Sequence, residues 1–456
     1  MTSRGVSAGS STADPAATPR IGALAIVLGL LFGLAGTSTS GVTVALPQLA
    51  GDLEVSTGAA TWVISSYAVA LAVATPVHGR LADAVGIRIP LCGGATLMAA
   101  GAIASAVSPN LTVLLVARVA QGLGAAAIPV LASALLSARL DGDRRQAALG
   151  RLAGTAAVLS ALGPLIGGGL EAVGGWHAAV ALPALALLAL PYLWRRSVVA
   201  GDGARVDVLG ALFVAVAASG LVLLIQSPAT GVAAAVAGAI LLVLGVPAVV
   251  AWTRVRPEGF LPLAVIGNGI VIRSALCASA LPASWFALLL GIPLTLAALG
   301  WTPLTTGLVL LPAAALGLFS PYLSAALMSR AGPRRTLLGA CAAAATGLAV
   351  AAGGAALGSA WLLGGAVLLV TAAFVTGQPA MIAAVSGAVA PDRRGGAIGV
   401  ATLAFLTGAG IGTAVVGGLA SVIGTAGALL VLLALPLVGS TLLLSGRSDA
   451  RCSPAS

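Results

Sequence analysis

Few residues in this chain are equipped for chemistry, because only 7% are charged and only two are histidine. Arg118 is singular among them: it falls inside an apolar run, with Gln121 three residues on and therefore on the same helix face. A guanidinium in a membrane span costs roughly 2.5–3.5 kcal/mol on insertion scales, so it faces either a cavity or a set of partners. The structural alternative is donation to backbone carbonyls, Gln121 or water. Counting at 1.5 Å per residue puts Arg118 about 31 Å from Arg139 and Ser38 about 27 Å from Arg20, so both fall in the outer half of a span and can share one polar layer. Glu171, five residues before Trp176, sits near the outer end of another run. Interfacial solvation explains it, and so does proton uptake if it turns inward. His78 and His177 lie at run ends on opposite sides, 99 residues apart, so no nucleophile and base or metal cluster emerges and an intramembrane enzyme is disfavoured. Cys92, Cys277, Cys341 and Cys452 are scattered without disulfide or metal spacing and read as apolar filler.

A second concentration of functional types is Gly79 to Arg88, GRLADAVGIR, between two apolar runs. Gly79 permits close helix approach, Asp83 can accept the positive end of another helix, and Gly86 with Arg88 turns the chain into the next run. An ordinary solvated turn is the bland alternative. The stretch recurs as LMSRAGPRR, with Gly86 on Gly332 (332 − 86 = 246), and DRRQAALG recurs as DRRGGAIG, with Asp143 on Asp392 (392 − 143 = 249). Two anchors at nearly one offset imply two homologous halves in the same orientation.

The elements that must position these residues are helices. Mean hydropathy is +1.11 and 59% of residues are hydrophobic, so the chain is an all-α polytopic membrane protein. Its net charge of +10 would suggest nucleic acid in a soluble chain, but here all 22 basic residues are arginine and mark topology instead. The first apolar run, 21–46, is too long for a signal h-region and reads as a retained helix. Further runs fall at 59–79, 89–108, 111–137, 148–170, 176–194, 209–226, 231–252, 269–296, 304–328, 335–356, 361–388, 396–421 and 424–444, making fourteen. Every arginine cluster follows an even number of runs, which places both termini in the cytoplasm. Six helices need roughly 200 residues, so an offset near 247 leaves about 50 over, and 206–253 fills that gap as an extra hairpin. The expected organisation is a disordered cytoplasmic tail (1–20), a six-helix bundle (21–196), an inserted hairpin (197–256), a second six-helix bundle (257–445) and a cytoplasmic tail (446–456).

On these motifs the chain resembles a major facilitator superfamily transporter, and its extra hairpin makes it similar to the fourteen-helix drug:proton antiporter family. GRLADAVGIR resembles the family's loop between helices 2 and 3. LLVARVAQGLGAA resembles the helix 4 motif, and GPLIGG, with Gly163, Pro164, Gly167 and Gly168, the helix 5 motif of exporters. TVALPQLA and the Trp62/Tyr67 pair also fit. A departure is Ser38, nine residues before the proline of ALP, where the family commonly has an acid. The resemblance implies the major facilitator fold and export of small apolar compounds such as antibiotics, with protons as coupling ion and Arg118 and Glu171 as candidate coupling residues. Import or facilitated passage of a small metabolite is the alternative. A monomer in a bacterial inner membrane is expected, contacting lipid, with no cofactor and no nucleic acid.

By analogy with parallel-repeat transporters, the substrate cavity is expected between the halves, lined by Ser38, Thr43, Trp62, Tyr67, Arg118 and Gln121 and by Trp285, Phe286, Gln378 and Phe405. These side chains could equally pack between helices. Arg118 without a carboxylate at its depth should disfavour cations. Asp83 is expected to reach the helix start at Gly395 and Gly396 only when the cytoplasmic side is closed. The alternative is pairing with Arg80 or Arg88 in its own loop.

Overall fold

The computed structural model describes residues 17–140, 142–201, 203, 207–390 and 393–445. Most of the expected tail at 1–20, all of that at 446–456, and Asp392 of the repeated DRRGGAIG lie outside the described residues.

Among the described residues every regular element is helical. Helices α1 (Ala17–Asp52), α2 (Gly58–Val85), α3 (Arg88–Ala106) and α4 (Leu111–Arg139) open the chain. They are followed by α5 at 142–173 and α6 at 176–196, the latter entering through a tight 3-10 segment, Leu182–Ala189. Helices α7 (Val208–Thr230) and α8 (Val232–Val255) form the inserted hairpin. The second half comprises α9 (Gly269–Ala298), α10 at 303–331, α11 at 333–357, α12 (Ala360–Gly387), α13 at 394–423 and α14 at 425–445.

Among the described residues eleven continuous helices are long and apolar enough to cross a membrane, and three of these contain a glycine at which the helix breaks. Gly175 (φ 66°, ψ −174°), Gly332 (φ 76°, ψ 164°) and Gly424 (φ 74°, ψ 164°) adopt backbone angles that a side chain forbids. Each break divides one continuous run into two helices, which is why α1–α14 number fourteen among the described residues. The same angles expose the repeat. Gly86 (φ 85°, ψ 168°) matches its sequence counterpart Gly332, and Gly175 matches Gly424 at nearly the same offset (424 − 175 = 249). Helix starts repeat too. Asn110 accepts from Val113 N at the head of α4, and its counterpart Ser359 (359 − 110 = 249) accepts from Leu362 N at the head of α12.

Packing depends on small residues, because lipid supplies no hydrophobic drive between helices and backbones must come close for dispersion to act. In the first half a Cβ on Gly167 of α5 would lie 2.3 Å from Gly41 O of α1. In the second half Cβ atoms on Gly408 and Gly412 of α13 would lie 2.0 Å from Ser279 O and Ala283 O of α9. Across the halves, α2 packs on α13 and α5 on α10. The hairpin lies over the first of these seams, with α7 against both α2 and α13 and α8 stacked behind α7.

Asp207 fastens the hairpin. Its carboxylate caps α7 through Gly210 N (3.0 Å), accepts from Trp252 Nε1 of α8 (3.0 Å), and accepts from Phe260 N in the connector to the second half (2.8 Å). Burial would raise its pKa, but the donors at Phe260, Gly210 and Trp252, together with the charge of Arg256, outweigh it and hold the carboxyl below its usual value. With the folded pKa below the unfolded one, this contribution is complete above the unfolded pKa and disappears as pH falls through the folded value. Asp207→Asn should therefore lower the melting temperature near neutrality and flatten the loss of stability toward acid. Melting curves of both proteins from neutral pH down into the acid range check this, and parallel acid limbs would refute it.

Candidate functional site

The two halves enclose a cavity of about 890 Å³ at the end of the molecule that bears Arg80, Asp83 and Arg393. One wall is α2 (Thr75, Pro76, Gly79, Arg80, Asp83) with Val130 and Leu131 of α4. The opposite wall is α13 (Gly395, Gly396, Gly399, Thr402), and the connector from Pro257 to Val265 closes one side. The other end of the seam is shut. Ser65 Oγ of α2 and Thr413 Oγ1 of α13 lie 3.0 Å apart, and a Cβ on Gly307 of α10 would come within 3.0 Å of Pro164 O of α5. The lining thus comes from the Arg80, Asp83 and Arg393 end of the molecule alone.

Of the expected switch residues, Gly79, Asp83, Gly395 and Gly396 line this cavity from opposite walls. Asp83 is exposed and, among the described residues, makes no hydrogen bond or ion pair. Gly86 is pressed under the connector after α6, where a Cβ would lie 2.3 Å from Val199 O, and Ile87 N donates to that carbonyl. Arg88 stacks over Trp194 at 4.2 Å. Gly163, Pro164, Gly167 and Gly168 are buried, wedged between α1 and α10. Glu171 is half-buried near the end of α5.

None of the expected substrate residues lines this cavity, and seven of the ten form two clusters away from it. In the first, Arg118 is wholly buried, donating through Nε to Val63 O (2.8 Å), through one terminal nitrogen to Gln121 Oε1 (2.8 Å) and through the other to Ser38 O (2.6 Å). Gln121 Nε2 donates on to Ser38 Oγ (3.2 Å), and the guanidinium sits 4.5 Å from the centre of the Tyr67 ring, whose hydroxyl donates to Ala35 O (2.7 Å). Ser38, Tyr67, Arg118 and Gln121 do share a layer. It is a knot tying α4 to α1 and α2, with three of the guanidinium's five N–H donors placed on two carbonyls and an amide. Thr43 is buried on α1 with its hydroxyl returned to Ser40 O, and Trp62 packs beneath the hairpin; neither touches the knot.

The second cluster is aromatic. Trp285 meets Phe286 edge-on (5.0 Å) and stacks on Phe374 (5.0 Å), which in turn meets the fully buried Phe405 (5.5 Å). Trp285 Nε1 donates to Thr371 Oγ1 (3.2 Å). Phe374 and Thr371 join residues expected from sequence. Their signal was present, since Thr371, Phe374 and Gln378 are spaced three and four apart on one face of α12. Gln378 itself is half-buried, outside the ring contacts.

The family model of the Major Facilitator Superfamily matches residues 28–389, and the chain belongs to that superfamily: it is a multi-pass membrane transporter. No curated protein matches it. Solved structures of similar fold include a POT family transporter in complex with 5-aminolevulinic acid, at TM-score 0.71 and 15% identity over 94% of this chain and 96% of that one. A POT family transporter in complex with a thioalcohol-conjugated peptide gives 0.71, 16%, 94% and 96%, and the POT family transporter PepTSo gives 0.67, 16%, 95% and 99%. At these identities the likeness is one of fold.

Two measurements follow from this geometry. Arg118→Leu would leave Gln121 Oε1 buried without a donor, at about 1–3 kcal/mol, and would take the guanidinium's bonds from Val63 O and Ser38 O, which keep their helical N–H partners. The variant should lose several degrees of melting temperature, with Arg118→Lys intermediate because one ammonium cannot span three acceptors in the guanidinium's plane. Equal melting of all three proteins would argue against the knot. Cysteines placed at Thr75 and Thr402 should react with a water-soluble thiol reagent from the arginine-bearing face, whereas one at Gln121 should not. Labelling at Gln121 as fast as at Thr75 would mean that the cavity runs on to the knot.

Proposed function

We propose that the chain is a secondary transporter working by alternating access, taking a small metabolite that is neutral or carries a carboxylate through a single chain. The observation that carries this reading is the cavity between the halves, open at one end and closed at the other by contacts between small residues and hydroxyls. Rocking the halves about the knotted and aromatic layers would close the mouth and part the far seam, exchanging one access for the other. The halves we have in mind are 21–196 and 257–445, with 197–256 as the insert. By its arginines the open mouth faces the cytoplasm of a bacterial cell, with both termini on that side.

Two directions stood open from the sequence. The helix 5 motif alone speaks for drug export in exchange for protons, as in the fourteen-helix antiporters. Uptake or facilitated passage of a small metabolite is the one we adopt. It is supported by the similar folds described above, two of which were solved in complex with 5-aminolevulinic acid and a peptide conjugate. The charge distribution agrees with a carboxylated solute. Arg118 holds its charge among carbonyls with no carboxylate bonded to it, so its field favours an anion and opposes a desolvated cation. Proton coupling belongs to the proposal, with Glu171 as the group that takes up the proton from outside, although Ser38 stands in α1 where the antiporter family commonly has an acid.

Purified protein in liposomes tests this. Radiolabelled 5-aminolevulinic acid and a dipeptide should enter at several times the rate of protein-free liposomes, faster still with an inward proton gradient, and Glu171→Gln should abolish the gradient's effect while sparing passive flux. If ethidium-like cations were driven across in preference to either carboxylate, drug export would replace the reading.

A further inference from the structure

The inserted hairpin is more than a lipid-facing appendage, because one of its side chains enters the closed seam. Gln226, one turn from the end of α7, is fully buried and donates through Nε2 to Ser65 Oγ of α2 at 2.6 Å. Ser65 Oγ lies 3.0 Å from Thr413 Oγ1 of α13. Thr413 has carbonyls of its own helix within reach, Gly410 O at 3.1 Å and Ala409 O at 3.2 Å. The protons can be assigned in one direction: the amide donates to Ser65, Ser65 to Thr413, and Thr413 to its backbone. This chain of bonds runs from the hairpin through the first half into the second, and all three side chains are buried.

Its level in the membrane is that of the barrier. Ser65 stands ten residues from Thr75 at the cavity wall, about 15 Å along α2. Around it the three bodies touch without room for side chains. A Cβ on Gly417 would lie 2.3 Å from Thr61 Oγ1, one on Gly418 would lie 2.4 Å from Ile225 O, and one on Gly58 would lie 2.4 Å from the Ala229 side chain. Opening this end must separate α2 from α13, and Gln226 cannot remain bonded as it is while Ser65 and Thr413 part.

A static brace would be expected to satisfy both ends of its amide. Among the described residues Gln226 Oε1 is buried with no partner. The contact is therefore held on one side only, which suits a bond that is made and broken in a cycle.

We propose that Gln226 makes the inserted hairpin a third component of the gate, latching the closed seam between α2 and α13 in the conformation open at the arginine-bearing end. The inference rests on the alternating-access reading. Its test uses conformation alone, without solute. Spin labels at Glu54→Cys and Ser421→Cys, both exposed at the closed end, report the width of the seam in a chain carrying Cys452→Ser. Gln226→Leu should raise the ratio of wide to narrow distances roughly three- to tenfold over the parent, the change set by one net hydrogen bond. Thr413→Val, which keeps the shape and removes the hydroxyl, should move it the same way and provides the reading if Gln226→Leu does not fold. Val243→Ala on the exposed face of α8 should leave the distances unchanged. Parent-like distributions in both Gln226→Leu and Thr413→Val would overturn the latch. A parent that shows one width under every condition, proton gradients included, would overturn alternating access itself.

Discussion

The constraint on which this structure depends is that a polar group in hydrocarbon must find its partners inside the protein. Arg118 shows the extreme case, a cation with its donors directed at Val63 O, Ser38 O and Gln121 Oε1 and its face against Tyr67. Hydroxyls obey the same rule more cheaply by bonding back one turn, as Ser38 does to Leu34 O, Thr75 to Leu71 O and Thr407 to Leu403 O. A surface satisfied in this way can slide or part without stranding strong donors. Strong multi-dentate bonding is accordingly found within the first half, at the knot of α1, α2 and α4, and weak bonding between the halves.

The same rule explains what could be read from the sequence. Turns and repeats were legible because glycine at positive φ has no substitute. Gly86 and Gly332 stand out in charged loops, and their offset carried the six, two, six organisation. Gly175 and Gly424 carry the same information, but they lie among other small residues, and only the backbone angles single them out. The polar layer was legible as depth along two helices, which suffices to bring Ser38 level with Arg118. Whether a guanidinium at that depth faces a cavity or its own acceptors depends on where Val63 O and Ser38 O point, and backbone carbonyls have no signature in sequence.

Two further contacts were hidden for a related reason. Asp207 reads as an ordinary helix cap, since its partners Trp252 and Phe260 are 45 and 53 residues away. Gln226 is a lone amide in a strongly apolar helix, a feature that any intramembrane polar residue shares until its neighbour is known. The cavity walls fared better: Asp83 and the Gly395–Gly396 pair face each other across one opening because the repeat places the loop after α2 and the start of α13 on one membrane face.

The hairpin's placement then bears on how the halves can move. Two seams join them, α2 with α13 and α5 with α10, and α7 covers only the first. At the uncovered seam Gly307 meets the backbone of Pro164 and Leu165, and among the described residues no side-chain hydrogen bond joins α5 to α10. At the covered seam separation breaks hydroxyl bonds, and α7 must follow one half or the other. Asp207 binds the foot of α7 to the connector leading into α9, while Val222 and Ile225 pack with residues of both α2 and α13. Tethered to the second half at its foot and to both halves higher up, α7 is carried most easily with α13. The seam that opens is then α2 against α7 and α13 together, and Ser65 is the residue that must change its partners.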